Sequence, residues 1–220
     1  MRIQKIGLSN IWLAFSTLVI LVLSVLGHDS VIGTISAVTG VCYTILTGKG
    51  KASAYIFGII NVLGYSYVSF KAGFYGEVML NVLYFLPMCI IGWVLWRKNT
   101  DNLTGEVTKK RMRLTSSILV YTCTAIAIFV YGLILKHLGG SLPFIDSMST
   151  VISVVAQILC VKRYTEQWIL WTVVNAVTVI MWGISFSQGG ENISTLIMWS
   201  VYLITGIAMF IKWYRDSKLL

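Results

Sequence analysis

The 17 lysines and arginines of this chain keep to the ends of long apolar runs and the gaps between them, and nearly all to every second gap. The runs cover residues 11–27, 31–48, 53–71, 77–96, 114–135, 146–161, 167–187 and 193–213. A helix that crosses the hydrocarbon core needs about 20 such residues, with a range of about 17–25. The first and sixth runs sit at the short end of that range. If all eight cross, the chain ends and the gaps after the second, fourth and sixth runs share one side. That side collects Arg2, Lys5, Lys49, Lys51, Arg97, Lys98, Lys109, Lys110, Arg111, Arg113, Lys162, Arg163, Lys212, Arg215 and Lys218, and the other only Lys71 and Lys136. Adding or dropping one span scrambles the division. Fifteen against two is the bias that holds basic loops in the cytoplasm, so the sequence predicts eight spans with cytoplasmic termini.

Composition excludes most other classes. The chain is 57% hydrophobic and 11% charged, with a mean hydropathy of +0.81. Soluble domains carry about 25% charged residues. The formal charge of +9 is then a matter of topology. The stretch Lys109-Lys110-Arg111-Met112-Arg113 reads as a cytoplasmic loop, with membrane lipid and not nucleic acid as its neighbour. Cys42, Cys89, Cys123 and Cys160 fall inside runs without a CxxC pair and read as small apolar residues. His28 and His137 lie near the outer surface and form no HExxH spacing, so no metal, cofactor or enzyme is expected. Leu26-Gly27-His28 is a poor cleavage pattern, so the first run stays a span.

Shifting the sequence by 114 residues aligns spans two to four with spans six to eight without a gap. Asn61 then meets Asn175, Gly76-Glu77 meets Gly190-Glu191, Gly92 meets Gly206 and Lys49 meets Arg163. The expected plan is all-α: two parallel three-helix repeats joined by a linker helix, with one extra helix in front. Residues 1–30 hold the extra helix, 31–98 the first repeat, and 99–140 the basic loop and linker. Residues 141–213 hold the second repeat and 214–220 a cytoplasmic tail. Parallel repeats place a substrate site between them, near the midplane.

One face of the seventh span carries the chemistry. At about 100° per residue, Trp168, Trp171, Asn175 and Trp182 fall within a sector of about 60°. An amide in a bilayer needs a partner, because an unpaired one costs several kcal/mol. Indoles with an amide among them suit a flat ligand with hydrogen-bonding groups. Asn61, near the middle of its own span, serves either as a second ligand group or as glue between helices. Gln157 shares a face with Asp146 and Ser153, Asn81 and Tyr84 share one with Glu77, and Trp199 and Tyr202 share one with Thr195. Trp12, Trp93, Trp96, Trp168 and Trp213 sit at cytoplasmic span ends, where an aromatic belt is expected.

The string Trp168-x-x-Trp171-x-x-x-Asn175 resembles the Pnu family of bacterial vitamin transporters, as do Asp146 with Ala156-Gln157 and Gly92-Trp93 with Trp96. The resemblance runs from residue 31 to 213 and favours the members that carry nicotinamide riboside, with thiamine as the alternative within the family. The general plan is also similar to the SWEET sugar transporters. It implies an inner-membrane carrier for a small molecule, and a cytoplasmic kinase that traps the riboside by phosphorylating it. Nicotinamide riboside offers a pyridinium ring that indoles attract, and a carboxamide and diol that an asparagine can pair with. No carboxylate or histidine stands at mid-membrane, which points to uncoupled, facilitated movement by alternating access. The exposed first span offers a face for a homo-oligomeric contact.

Overall fold

The computed structural model describes residues 8–139, 143–189 and 193–219. Arg2, Lys5 and the Gly190–Glu191 pair lie outside the described residues. The long helices are α1 (Leu8–Leu26), α2 (Val31–Gly48), α3 (Ala54–Lys71) and α4 (Tyr75–Lys98). They continue with α5 (Leu114–His137), α6 (Pro143–Val161), α7 (Gln167–Ser187) and α8 (Ile193–Asp216). All except α3 are long and apolar enough to cross a bilayer. α3 has the length, at 18 residues, but is diluted by Asn61, Ser66 and Ser69, which it buries. Helices α4, α5 and α8 run past their apolar stretches to Lys98, His137 and Asp216. A long charged side chain at a helix end keeps its head in water without breaking the backbone ladder.

Polarity is inverted relative to a soluble domain. Ser36, Thr47, Ser153, Gln157, Asn175 and Thr178 are buried, while Leu18, Ile90, Ile126, Phe129, Ile180 and Ile207 face outward. Only a lipid exterior makes that arrangement cheap, and helices satisfy their own backbone within it. The chain is a multi-pass membrane protein.

α2 packs on α3 and α8, α4 on α3 and α6, and α7 on α6 and α8. α1 leans on α2 and α8, and α5 packs on α6. The first helix is tied at both ends. Trp12 Nε1 donates to Thr205 Oγ1 at 3.0 Å, and Asp29 accepts from the first N–H groups of α8, Ile193 at 3.1 Å and Ser194 at 2.7 Å. These amides have no intrahelical acceptor, so a carboxylate there also complements the helix dipole.

α4 widens into a π-turn over Asn81–Phe85, where Leu86 N–H reaches back to Asn81 O. Pro87 is the cause. It has no N–H for the carbonyl of Leu83, and its ring crowds that oxygen, so the ladder slips by one residue. At Gly40, α2 meets two other helices so closely that a Cβ would stand 2.1 Å from Tyr202 Oη and 2.6 Å from Asn61 Nδ2. Only glycine fits.

The basic end of the bundle corrects one expectation. Trp96, Trp168 and Trp213 are buried and do not form a belt. Trp96 Nε1 donates to Cys160 O and Val161 O, both at 3.2 Å, and Trp213 Nε1 to Gly48 O at 2.8 Å. The acceptors are the last carbonyls of α6 and α2, which lack intrahelical donors. The basic run is a loop tied to its neighbours through the backbone. Its strand β1 (Lys110–Arg111) pairs in parallel with β2 (Lys218–Leu219). Val107 N–H bonds Gly50 O, Lys110 N–H bonds Arg163 O, and Met112 N–H bonds Glu166 Oε1. Lys109 is buried between Glu106 and Asp216, at 3.1 and 3.5 Å. Burial pushes the Glu166 carboxyl up from its ordinary value, against the pull of the Met112 N–H and of Arg111.

Candidate functional site

A cavity runs through the middle of the bundle, lined by α2, α3, α4, α6, α7 and α8 and by neither α1 nor α5. α7 supplies Gln167, Trp168, Trp171, Val174, Asn175 and Thr178, steps of three and four that keep one helix face toward the void. α2 supplies Tyr43, Thr44 and Thr47, α3 supplies Asn61, Val62 and Tyr65, and α8 supplies Met198, Trp199 and Tyr202. α6 adds Ser153, Gln157 and Cys160. Along α4 the lining residues are Glu77, Leu80, Asn81, Phe85 and Cys89.

Of the residues expected from sequence, Trp168, Trp171, Asn175, Asn61, Gln157, Asn81, Trp199 and Tyr202 come together on this wall. The structure does not bring Trp182 and Tyr84 to it. Trp182 continues the α7 stripe but packs against Tyr65 and Phe74 outside the lining. Its Nε1 donates to Tyr65 Oη at 3.0 Å, and its ring meets that of Phe74 edge-on at 5.2 Å. Ordinary helical steps from Glu77 and Asn81 predict Tyr84 on the same face. The π-turn turns the next step to Phe85, and Tyr84 instead donates to Val154 O at 2.7 Å, tying α4 to α6. Phe85 contacts Trp171 with 6.0 Å between ring centres.

Sequence reasoning passed over Tyr43, Thr44, Thr47, Tyr65, Phe85 and Gln167. The 114-residue alignment of the sequence holds a signal for two of them. At the 114-residue spacing, Tyr43 precedes Gln157 and Phe85 precedes Trp199, as Asn61 precedes Asn175.

The distribution of hydrogen bonds sets this cavity apart. Eight of the twelve buried side-chain N and O atoms without a partner among the described residues belong to its wall. They are Thr47 Oγ1, Gln157 Nε2, both terminal atoms of Gln167, Trp168 Nε1, Asn175 Oδ1, Trp199 Nε1 and Tyr202 Oη. Gln157 leans toward Tyr43, Trp199 toward Tyr65 and Tyr202 toward Thr44 without closing a bond of good geometry. Buried polar groups are nearly always paired, and each unpaired one costs about 1–3 kcal/mol. Their concentration in one void marks groups kept for something that enters it. Asn61 is different: its Nδ2 is held by Ser36 O at 2.9 Å.

Among the described residues the wall carries no Lys, Arg or His, and Glu77 is its one acidic residue. Among the described residues no three His, Cys, Asp or Glu side chains converge as metal ligands. Aromatic faces with free amide, hydroxyl and indole groups equip the cavity for reversible binding of a flat, polar molecule.

A family profile described as "Nicotinamide mononucleotide transporter" matches residues 30–215. The nicotinamide riboside transporter PnuC of Neisseria mucosa is 37% identical over 213 residues, covering 94% of this chain and 81% of that protein. PnuC of Haemophilus influenzae is 30% identical over 210 residues, covering 94% and 90%. A crystal structure of the vitamin B3 transporter PnuC superposes with a TM-score of 0.85 at 36% identity, covering 94% of this chain and 90% of the other. These matches take in every helix that lines the cavity, and the chain belongs to the nicotinamide mononucleotide transporter family, the Pnu transporters that its tryptophan–asparagine string resembles.

Proposed function

We propose that this chain carries nicotinamide riboside across the bacterial inner membrane by uncoupled, facilitated movement. The observation that carries the reading is the set of unpaired polar atoms on one aromatic wall. The pyridinium ring is taken to lie against Trp171 and the other indoles, with the carboxamide or ribose diol on Asn175 and Gln157. Trp168, Gln167, Trp199 and Tyr202 offer further bonds, and Asn61 and Asn81 complete the wall. The absence of any Lys, Arg or His from the lining favours the riboside over the mononucleotide, whose phosphate would have no counter-charge. It also suits trapping by a cytoplasmic kinase, because the phosphorylated product would be refused on the way back.

The proposed plan is two parallel triplets, α2–α4 and α6–α8, rocking about the cavity. Support comes from the packing: α2 against α8 answers α6 against α4, as the exchange of triplets requires. Gly58, Gly64 and Gly92 approach Tyr43, Ser36 and Tyr55 across helix contacts, and Gly206 approaches Thr172, where small residues permit sliding. Opening toward the basic end requires Trp96 and Trp213 to release the carbonyls of the opposite triplet. That end is read as cytoplasmic from the charge division. α1 and α5 leave their outer faces to lipid or to a second copy of the chain.

The test is tryptophan quenching of the purified protein, titrated with nicotinamide riboside and competed with nicotinamide mononucleotide, thiamine and glucose. Saturable quenching by the riboside, displaced by none of the three at equal concentration, is expected. Stronger binding of thiamine or glucose, or no response to the riboside, would overturn the reading.

A further inference from the structure

Nicotinamide riboside carries a permanent positive charge on its ring, and the bonds assigned so far set only neutral groups against it. One wall residue answers that charge. Glu77 lies in the first turn of α4 and lines the cavity on the same four-residue ladder as Asn81 and Phe85. Its carboxylate makes no ion pair and accepts no hydrogen bond among the described residues, and α4 has no side-chain cap that would occupy it. Only its backbone oxygen is engaged, by Asn81 Nδ2 at 2.8 Å.

A carboxylate kept unpaired in a membrane protein is costly, and such groups ordinarily serve a ligand or ion. Its surroundings select the sign of that ligand. Tyr65 and Trp199, also on the wall, meet edge-on with 5.6 Å between ring centres, and aromatic faces attract cations. Among the described residues no basic side chain lines the void to compete for the carboxylate. Opposite charges interact more strongly there than in bulk water.

Resting on the functional reading above, we propose that Glu77 is the counter-charge for the substrate's pyridinium ring, a specificity-determining residue that makes the cavity prefer a cationic nucleoside to its neutral counterpart. The reduced, dihydropyridine form of the riboside is the discriminating probe. It keeps the carboxamide and ribose and loses the charge.

The experiment is calorimetric binding of both forms to the full chain, to Glu77→Gln and to Glu77→Asp. The unaltered chain is expected to prefer the cation by about tenfold or more. Glu77→Gln should weaken the cation by about tenfold while moving the neutral form by less than about threefold, and Glu77→Asp should keep most of the preference. Binding of the neutral form doubles as the check that Glu77→Gln is folded. Equal weakening of both forms would make Glu77 a wall residue without electrostatic selectivity and sink the proposal, as would an unchanged preference. If Glu77→Gln fails to fold, Glu77→Ala takes its place: loss of the preference with the neutral form still bound supports the proposal, and a retained preference overturns it. An unaltered chain that binds neither form would overturn the functional reading itself.

Discussion

Asn61 and Asn175 stand 114 residues apart, each near the middle of its helix and each on the cavity wall, yet their amides are used in opposite ways. Asn61 Nδ2 donates to Ser36 O at 2.9 Å and lies 3.4 Å from Met198 Sδ, so it bolts α3 to α2. Asn175 Oδ1 is buried with no partner. The cause lies one turn away. Gly64 lets α2 and α3 approach until a Cβ on it would stand 2.8 Å from Ser36 Cβ. The positions 114 residues later are Thr178 and Thr150, so no glycine stands at the matching place in the second pair of helices. Two asparagines at matching places in the sequence are thus used differently, one to join helices and one left open on the wall proposed to bind the substrate.

The sharpest way to break this comparison is to remove both amides in turn. Asn175→Leu should weaken nicotinamide riboside by about 100-fold, the equivalent of about 2.7 kcal/mol. Its melting temperature should stay level or rise, because a buried unpaired acceptor has gone. Riboside affinity within threefold of the parent would remove Asn175 from the site. Trp171→Ala comes next, with a loss of about tenfold or more from the missing indole face and no loss of folding. Unchanged affinity there would mean that the ring lies against a different aromatic. Asn61→Leu should do the reverse of Asn175→Leu. Riboside affinity is expected within about threefold, with stability lower by about 1 kcal/mol as the cross-helix bond from Asn61 to the Ser36 carbonyl is lost. Chemical denaturation beside a binding isotherm separates the two, and a large binding loss without destabilisation would make the asparagines equivalent.

Legibility followed locality. The spans were readable because hydropathy and loop charge are properties of consecutive residues, and the α7 wall because one helix face repeats every three to four positions. Tyr84 was misplaced because Pro87, three residues on, shifts the helical phase, and the proline was in plain view. Trp96, Trp168 and Trp213 were unreadable for a different reason. An indole at a span end reads as an interface anchor unless one knows that a neighbouring helix ends beside it with a bare carbonyl, and helix neighbours are a tertiary fact. Tyr65 belongs with these, since its place in the cavity depends on Trp182 holding its hydroxyl from another helix.

The smallest expected effect concerns protons. Among the open groups of the cavity, the amides, indoles and hydroxyls neither take up nor release a proton near neutrality. The one exception on the wall among the described residues is Glu77, proposed above as the counter-charge of the substrate. Riboside uptake into vesicles should therefore keep nearly the same initial rate when an electroneutral potassium–proton exchanger collapses the pH gradient. The membrane potential must be held constant, because a cationic substrate responds to the potential without any coupling. A severalfold drop under that condition would mean that a proton travels with the riboside. It would shift the open half of the molecule from a passive receptor to a coupled one, with Glu77→Gln the variant in which the drop should vanish.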